Sequence, residues 1–375
     1  MKLSILQENL AKGLSIVSHS VAAKAQLPVL GNILLTTDKG RLKLSATNLE
    51  TGINYWVGAK IEKEGTLSIP AKFLTEFVSS LPSEKVELEV KENSLFISCG
   101  GYKANFVGLP SSEFPPVPTL KDKETIVFSS GNLTKAISQV AFAAAQDEGR
   151  PQLTGVLLMI KTDDLLMVAT DGYRLSLKKL PGIKGIKEVK EFKKGLIIPS
   201  RTLVEIGRVT NEKEQANEVG LAITPDSNQL IFSTNEAEVV SRLIEGSFPD
   251  FEKIIPEKSK TKIICETETI IRAVRIASIF ARESANIIKW KIDNGKLRIS
   301  ANATQVGENV SEIEAKVDGA ENKIAFNSRY LLDFLNSVET EQIAFEMTNP
   351  LNPGVFKPVG DQSYLHIIMP VRVQE

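Results

Sequence analysis

One pattern recurs three times along the chain: two apolar strands joined by a polar turn. It runs from Ile33 to Asn48, from Val156 to Asp171 and from Ile288 to Asn302. Leu35 and Ala46, Leu158 and Ala169, and Trp290 and Ala301 are each 11 positions apart. The turns hold Asp38-Lys39-Gly40, Asp163-Asp164 and Asp293-Asn294-Gly295, residues that tolerate the backbone angles of tight hairpins. A second segment repeats in phase. Ile69-Pro70-Ala71-Lys72-Phe73-Leu74 matches Ile198-Pro199-Ser200-Arg201-Thr202-Leu203 and Phe326-Asn327-Ser328-Arg329-Tyr330-Leu331. Lys72 and Arg201 lie 129 positions apart, Arg201 and Arg329 128. Each segment opens an amphipathic helix. Its apolar residues are Phe73, Leu74, Phe77, Val78 and Leu81; Leu203, Ile206 and Val209; and Tyr330, Leu331, Phe334, Leu335 and Val338. Ser200 and Asn327 read as N-terminal caps, and Pro70 and Pro199 suit helix entry. A third segment places a helix at each unit's start, with Lys12, Lys135 and Arg272 in matched positions.

Each unit therefore reads helix, hairpin, helix, further strands. The class is α+β, with two helices per unit packed on mostly antiparallel sheet. Charged, proline-containing connectors at Pro115–Lys123 and Pro256–Lys260 set the expected domains at 1–123, 124–256 and 257–375. A linear array of adhesion-like domains is the alternative. Such domains are all-β, and two helices per unit argue against them.

The chemistry of an enzyme is hard to find. His19 and His366 are the only histidines, and neither has metal-ligand spacing to a neighbour. No phosphate loop, dinucleotide fingerprint or nucleophile elbow occurs. Gly100-Gly101 follows a strand and reads as a turn. Asp171-Gly172 resembles a catalytic aspartate only superficially. Asp-Gly after a strand is turn chemistry, and Asn48 and Asn302 hold the matching positions. No second carboxylate recurs at a fixed offset to complete an acid/base pair. No cofactor and no metal site is expected. Cys99 and Cys265 are far apart and form no disulfide framework, which suits a reducing compartment. No stretch approaches a membrane span, and Met1–Glu8 turns charged too early for a signal peptide. The expected location is the cytoplasm.

The cations carry more information. Lys12, Lys72, Lys135, Arg201, Arg272 and Arg329 occupy matched helix positions in all three units. With helices facing inward they would form one cationic lining that attracts phosphates without reading bases. The net charge of −1 argues against tight, phosphate-dominated binding.

At Ala169-Thr170-Asp171-Gly172-Tyr173-Arg174-Leu175 the chain resembles the bacterial DNA polymerase III β-subunit family of sliding clamps. Leu27-Pro28-Val29-Leu30-Gly31-Asn32, Phe248-Pro249-Asp250-Phe251, Phe326–Tyr330 and Ile368-Met369-Pro370-Val371-Arg372 extend the resemblance over the whole length. It implies a head-to-tail homodimeric ring of six domains, helices lining the hole, that encircles double-stranded DNA and slides without catalysis. It also implies partners that insert short linear motifs into a pocket: an alpha-type replicative polymerase subunit, the clamp loader, other polymerases and repair proteins. The matching pocket positions are Leu153, Thr170, Gly172, Tyr173, Arg174, Leu175, Pro249, Lys253, Ile254, Asn327, Tyr330, Leu351, Ile367, Ile368, Met369, Pro370, Val371 and Arg372. An apolar cleft with a few orienting polar groups suits such a peptide. Tyr173 stands where the family commonly has histidine, and Ala285 where some relatives carry an aromatic. Lys24, Gln146 and Arg150 fall in loops that face DNA in the family. The dimer interface would pair the edge around Lys103 and Phe106 with Arg272–Phe280, using Ile276, Ile279 and Phe280. Two rivals remain: a DNA-independent peptide-binding adaptor, and a metal-dependent nuclease, which would need clustered carboxylates.

Overall fold

A computed structural model describes residues 1–22, 27–120, 126–161, 164–181, 195–210, 218–224, 228–293, 295–305 and 307–372. The first repeat runs β1 (Lys2–Leu6), α1 (Gln7–Ser18), β2 (Asn32–Asp38), β3 (Arg41–Thr47), β4 (Thr51–Gly58), β5 (Lys60–Lys63), β6 (Thr66–Pro70), α2 (Ala71–Ser79), β7 (Lys85–Lys91), β8 (Ser94–Cys99) and β9 (Tyr102–Val107). The second runs β10 (Ile126–Ser129), α3 (Ser130–Val140), β11 (Gly155–Lys161), β12 (Asp164–Thr170), β13 (Arg174–Leu180), β14 (Leu196–Pro199), α4 (Ser200–Thr210), β15 (Glu218–Thr224), β16 (Gln229–Ser233) and β17 (Ala237–Arg242). The third runs β18 (Thr261–Glu266), α5 (Thr267–Ala281), β19 (Ile287–Asp293), β20 (Lys296–Ala303), β21 (Gly307–Glu314), β22 (Lys316–Gly319), β23 (Asn322–Asn327), α6 (Ser328–Asn336), β24 (Gln342–Met347), β25 (Gly354–Pro358) and β26 (Tyr364–Ile368). The repeat read from the sequence is thus a repeat of elements. Among the described residues its six helices lie on sheets whose pairings are all antiparallel.

The chain forms two compact units. One contains Met1–Thr134 and Thr202–Leu243; the other contains the chain from Ile244 on and most of 135–201. The first holds a five-stranded sheet, β5-β1-β7-β8-β9, and an eight-stranded sheet, β10-β15-β16-β17-β4-β3-β2-β6. The second holds a nine-stranded sheet, β14-β11-β12-β13-β26-β25-β24-β18-β22, and a four-stranded sheet, β21-β20-β19-β23. In each long sheet, strands from two successive repeats join edge to edge: β4 with β17, and β13 with β26.

Local chemistry explains the elements. Asp38 pairs with Arg41 across Lys39 and Gly40, whose φ angles of 47° and 76° make a two-residue hairpin of the left-handed kind. The helix α1 buries Leu10, Leu14 and Val17 along one stripe. Asn327 caps α6 as expected, its Oδ1 accepting from Arg329 N at 2.9 Å. Ser200 differs from expectation. It is the first residue of α4 rather than the residue before it, and its N–H donates to Thr154 O at 3.1 Å. Asn302 also differs, because it lies within β20, paired with Glu308, and not in a turn. The third repeat's core centres on Trp290, whose ring makes edge contacts with Phe326, Phe345 and Phe356 at 5.6, 5.2 and 5.9 Å. Such pairs add to simple area burial. Both thiols are buried, and burial pushes Cys265 up to about 12, far from a reactive thiolate.

Candidate functional site

The strand β12 ends at Thr170 and β13 begins at Arg174, so a tight corner separates them. Thr170 Oγ1 donates to Arg174 O at 2.6 Å and accepts from Gly172 N at 3.0 Å. Asp171 Oδ1 accepts from Tyr173 N and Arg174 N at 2.9 and 3.0 Å. Gly172 sits at φ +91°, where a side chain would be strained. These bonds are the turn chemistry anticipated for Asp171, and they leave that carboxylate committed to the backbone and to Arg174.

Arg174 is buried, and its guanidinium is fully engaged. It donates to Asp171 Oδ2 at 3.1 Å, to Asp333 Oδ2 on α6, and to Phe142 O at 2.8 Å. Its Cζ lies 4.5 Å from the Tyr330 ring centre and 5.4 Å from that of Phe142. Burial, and then the Asp171 charge, raise the Tyr330 hydroxyl above its ordinary value. Asp333 and Phe142 were missed from the sequence. A signal existed: an acid follows each second-helix cation by four residues, at Glu76, Glu205 and Asp333. That offset escaped the search for paired carboxylates.

Several predicted pocket residues meet at this corner. Met369 N donates to Tyr173 O at 2.8 Å, which ties the segment after β26 to the turn, and Val371 N donates to Ala325 O at 2.8 Å. Arg174 pairs with Ile368 and Leu175 with Ile367 in the β13–β26 register. Leu175 and Ile367 join one apolar cluster with Phe251 and Leu177, and Ile255 packs against it. Leu153, Thr170, Leu175, Ile367 and Ile368 are buried, whereas Gly172 and Pro249 are exposed. Tyr173, Ile254 and Met369 present apolar surface, at 65%, 38% and 37% exposure. Asn327 and Tyr330 stand half-buried at the start of α6, and Pro370 and Val371 are half-buried beyond β26. Lys253 is tied to Asp250 at 2.8 Å on the surface, and Arg372 is exposed. Leu351 sits well exposed in a turn where Asn349 Oδ1 accepts from its N–H. Ala285 adopts φ +53° in the turn after α5. An open cleft of about 300 Å³ is lined by Leu157, Met159, Ile197, Phe248, Pro249 and Phe251; of the predicted residues only Pro249 borders it.

The helix cations lie on the expected elements. Lys12 is half-buried on α1; Lys72, Lys135, Arg201, Arg272 and Arg329 are exposed on α2 to α6. Lys135 is paired with Glu339 at 2.7 Å, an exposed contact of small energetic weight. Gln146 and Arg150 are exposed. Lys24 lies outside the described residues. Of the proposed interface group, Lys103 and Phe106 lie on β9, the end strand of its sheet, with Phe106 set edge-on to Phe77 at 5.6 Å. Ile276 and Ile279 are exposed beside Arg272, Arg275 and Ile271. Phe280 is half-buried against the third repeat's core. Among the described residues, the four-stranded sheet of the third repeat ends at β21 and β23, and the sequence reading did not single out β21.

Comparison with known proteins settles the family. Models of the N-terminal, central and C-terminal domains of the DNA polymerase III beta subunit match residues 1–118, 128–250 and 252–372. The chain belongs to the DNA polymerase III beta-subunit family. The Beta sliding clamp of Synechococcus elongatus is 30% identical over 379 residues, covering 100% of both chains. The sliding-clamp crystal structure from Bacillus subtilis matches at a TM-score of 0.91 with 28% identity, and the beta subunit from Thermotoga maritima at 0.90 with 27%, each covering all of both chains. The protein is thus a DNA sliding clamp, a processivity factor and not an enzyme. Neither the nuclease reading nor the DNA-free adaptor is favoured by these relatives. Among the described residues no helix is long and apolar enough to cross a membrane.

Proposed function

We propose that two copies of this chain, with domains 1–123, 124–256 and 257–375, close head to tail around duplex DNA in the cytoplasm. Lys12, Lys24, Lys72, Lys135, Gln146, Arg150, Arg201, Arg272 and Arg329 meet phosphates weakly and without reading sequence. The near-zero net charge fits retention by topology, since strong counterion release would slow sliding. Closure pairs the β9 edge, with Lys103 and Phe106, against the third domain, where Ile276, Ile279 and Phe280 on α5 flank the open β21 edge.

The Thr170–Arg174 corner, with Met369 and Ile254, receives a short apolar motif. The motif comes from an alpha-type polymerase subunit, the clamp loader, other polymerases or repair proteins. The observation that carries this pocket is the exposed apolar rim of Tyr173, Ile254 and Met369 around a buried floor of Leu175 and Ile367. Such a site anchors leucine and phenylalanine side chains.

Two experiments test the proposal. Sedimentation is expected to give a dimer of about twice the 41.1 kDa chain, retained on circular DNA after loading and lost when the DNA is linearised. A monomer, or equal retention on linear DNA, overturns the ring. Deleting residues 369–375 is expected to abolish binding of a leucine/phenylalanine peptide with the dimer intact. Unchanged affinity overturns the pocket.

A further inference from the structure

Behind the proposed pocket lies a buried histidine that the clamp's work does not obviously require. His366 is in the middle of β26, and its side chain is fully buried. Alternation along the strand puts Tyr364, His366 and Ile368 on the helix side and Leu365 and Ile367 on the other. Ile367 belongs to the apolar floor described above, so His366 stands directly behind it. Ser176, its register partner on β13, places Oγ 2.6 Å from His366 Nδ1. The other ring nitrogen, Nε2, is buried and has no hydrogen-bond partner among the described residues. A leucine or phenylalanine would avoid that defect, so the orphan atom calls for an explanation other than stability.

The rings around it supply one. His366 stacks on Phe334 of α6 at 5.1 Å and 13°, and meets Phe142 at 5.5 Å. Phe142 in turn holds Arg174, by its carbonyl at 2.8 Å and by its ring at 5.4 Å. Arg174 lies over Tyr330 at 4.5 Å. One line of contacts thus runs from Phe334, stacked on His366, through Phe142, tilted at 43° to His366, and Arg174 to Tyr330. Of its last two members, Tyr330 is half-buried at the start of α6, and Arg174 is buried on the helix side at the start of β13. The His366 ring contacts Phe142, which in turn contacts the Arg174 guanidinium by its carbonyl and its ring.

Charged groups surround the imidazole. Arg174 and Lys178 flank Ser176 on β13. Lys178 is paired with Asp361 at 2.8 Å and lies 5.8 Å from the Tyr364 ring. Asp171 and Asp333 neutralise Arg174. Burial, and then Arg174, hold the imidazole well below its usual range, so it stays neutral. A neutral ring is the species that suits a buried site facing the Arg174 charge.

We propose that His366 is a positioning residue for the partner-peptide pocket, setting the Phe142–Arg174–Tyr330 contacts in the geometry that binds the motif. The inference rests on the pocket reading above. Sites of this kind depend on the shell that locks their contact residues.

The test uses the full-length dimer and a fluorescent synthetic peptide carrying adjacent leucine and phenylalanine anchors. His366→Ala and His366→Leu, which remove the flat ring, are expected to weaken binding about tenfold, mainly through faster dissociation. His366→Phe keeps the ring and is expected to stay within about twofold of the unsubstituted protein. Thermal unfolding and sedimentation accompany each measurement. The inference is overturned by His366→Leu binding like the unsubstituted protein. It is equally overturned if all three variants lose affinity only in proportion to lost stability, with no rescue by phenylalanine. Absence of peptide binding by an unsubstituted dimer that is still retained on circular DNA sinks the pocket itself, and this inference with it. Rescue by His366→Phe alone, where Ala and Leu fail, supports it.

Discussion

Two corners of this chain share a backbone and differ in nearly every side chain that matters. At Thr47–Thr51, Thr47 Oγ1 donates to Thr51 O at 3.1 Å and accepts from Leu49 N, while Asn48 Oδ1 accepts from Glu50 N and Thr51 N. Leu49 holds φ +76° where Gly172 holds +91°. The pattern at Thr170–Arg174 is the same, residue for residue. Each corner leads into a strand that pairs with the next repeat: β4 with β17, and β13 with β26. Polarity is then exchanged between the two faces. At the first corner the helix side carries Ile53, Tyr55, Ala237 and Val239, and the opposite side carries Asn54 and Glu238, both buried. At the second, the helix side carries Arg174, Ser176, Lys178 and His366, and the opposite side Leu175, Leu177, Leu365 and Ile367.

The covering of the outer face follows from this. Asn54 Nδ2 donates to Pro118 O at 3.0 Å, and Glu238 Oε1 accepts from Leu120 N at 3.2 Å. Val117 lies so close over Gly52 that a Cβ there would be 2.8 Å from its Cγ1. The chain's own connector therefore seals the first corner, held by buried polar groups. At the second corner the chain's own connector also covers the outer face, but by apolar packing of Phe248, Phe251 and Ile255 rather than by buried polar groups, and Tyr173 and Met369 beside it stay exposed. The fold supplies the corner twice, and side chains decide whether its outer face is held by polar bonds or by apolar packing.

The largest expected effect breaks the comparison at Arg174. Arg174→Ala leaves Asp171 and Asp333 without their cation at a mostly buried site, and is expected to cost about 3 kcal/mol in urea unfolding and to abolish peptide binding. Its counterpart, Thr51, makes one side-chain bond among the described residues, to Thr202 Oγ1 at 2.6 Å. Thr51→Ala is expected to cost about 1 kcal/mol and to leave peptide binding untouched. Equal costs would mean that the guanidinium hub is ornamental.

Exchanging the outer faces sharpens the same point. Leu177→Asn imports the first corner's amide into an apolar cluster with no waiting partner, and is expected to cost about 2 kcal/mol. The reverse change, Asn54→Leu, removes the partner of Pro118 O and of Ser45 Oγ. It is expected to cost about 1 to 2 kcal/mol and to speed hydrogen exchange at the Leu120 amide. If that amide exchanges as slowly as before, the buried polar pair does not hold the connector.

These contrasts also mark what the sequence could reveal. The repeat, the hairpins, the Asn327 cap and the Asp171 turn were legible because each rests on residues close together in the chain. The apolar floor was legible only through family resemblance, since Leu175, Ile367 and Phe251 meet through long-range pairing. Asp333, Phe142 and His366 were passed over for a different reason. An acid on a helix, a phenylalanine after a helix and a histidine in a strand each have an ordinary reading. Their joint role depends on the β13–β26 register, which no local pattern encodes. The β21 edge was missed likewise, because an unpaired edge is a property of the whole sheet.

The smallest expected effect separates the corners by sign. Burial raises the Glu238 carboxyl above its ordinary 4.5, against the bonds from Leu120 and Asn54. The folded chain then takes up this proton more readily than the unfolded chain. Glu238 therefore adds stability as pH falls through its raised value, and the gain is complete below 4.5. His366 works the other way. Its folded value lies well below 6.5, so the unfolded chain binds the proton first. Its contribution is whole above 6.5 and is lost as pH falls below that point. Between about pH 7 and pH 6, His366 alone should lower stability, by under about 1 kcal/mol. The slope should shrink in His366→Phe, leaving the part due to the Met1 amine, which burial also holds below its ordinary 8.0, and persist in Glu238→Gln. As pH falls through the raised Glu238 value the two groups oppose each other, and Glu238→Gln should then steepen the acid loss rather than relieve it. Urea unfolding of the three proteins across this range reads both signs at once. A Glu238→Gln variant less acid-sensitive than the unsubstituted protein would show that the buried carboxylate at the first corner is ionised in its folded state at lower pH than its burial implies.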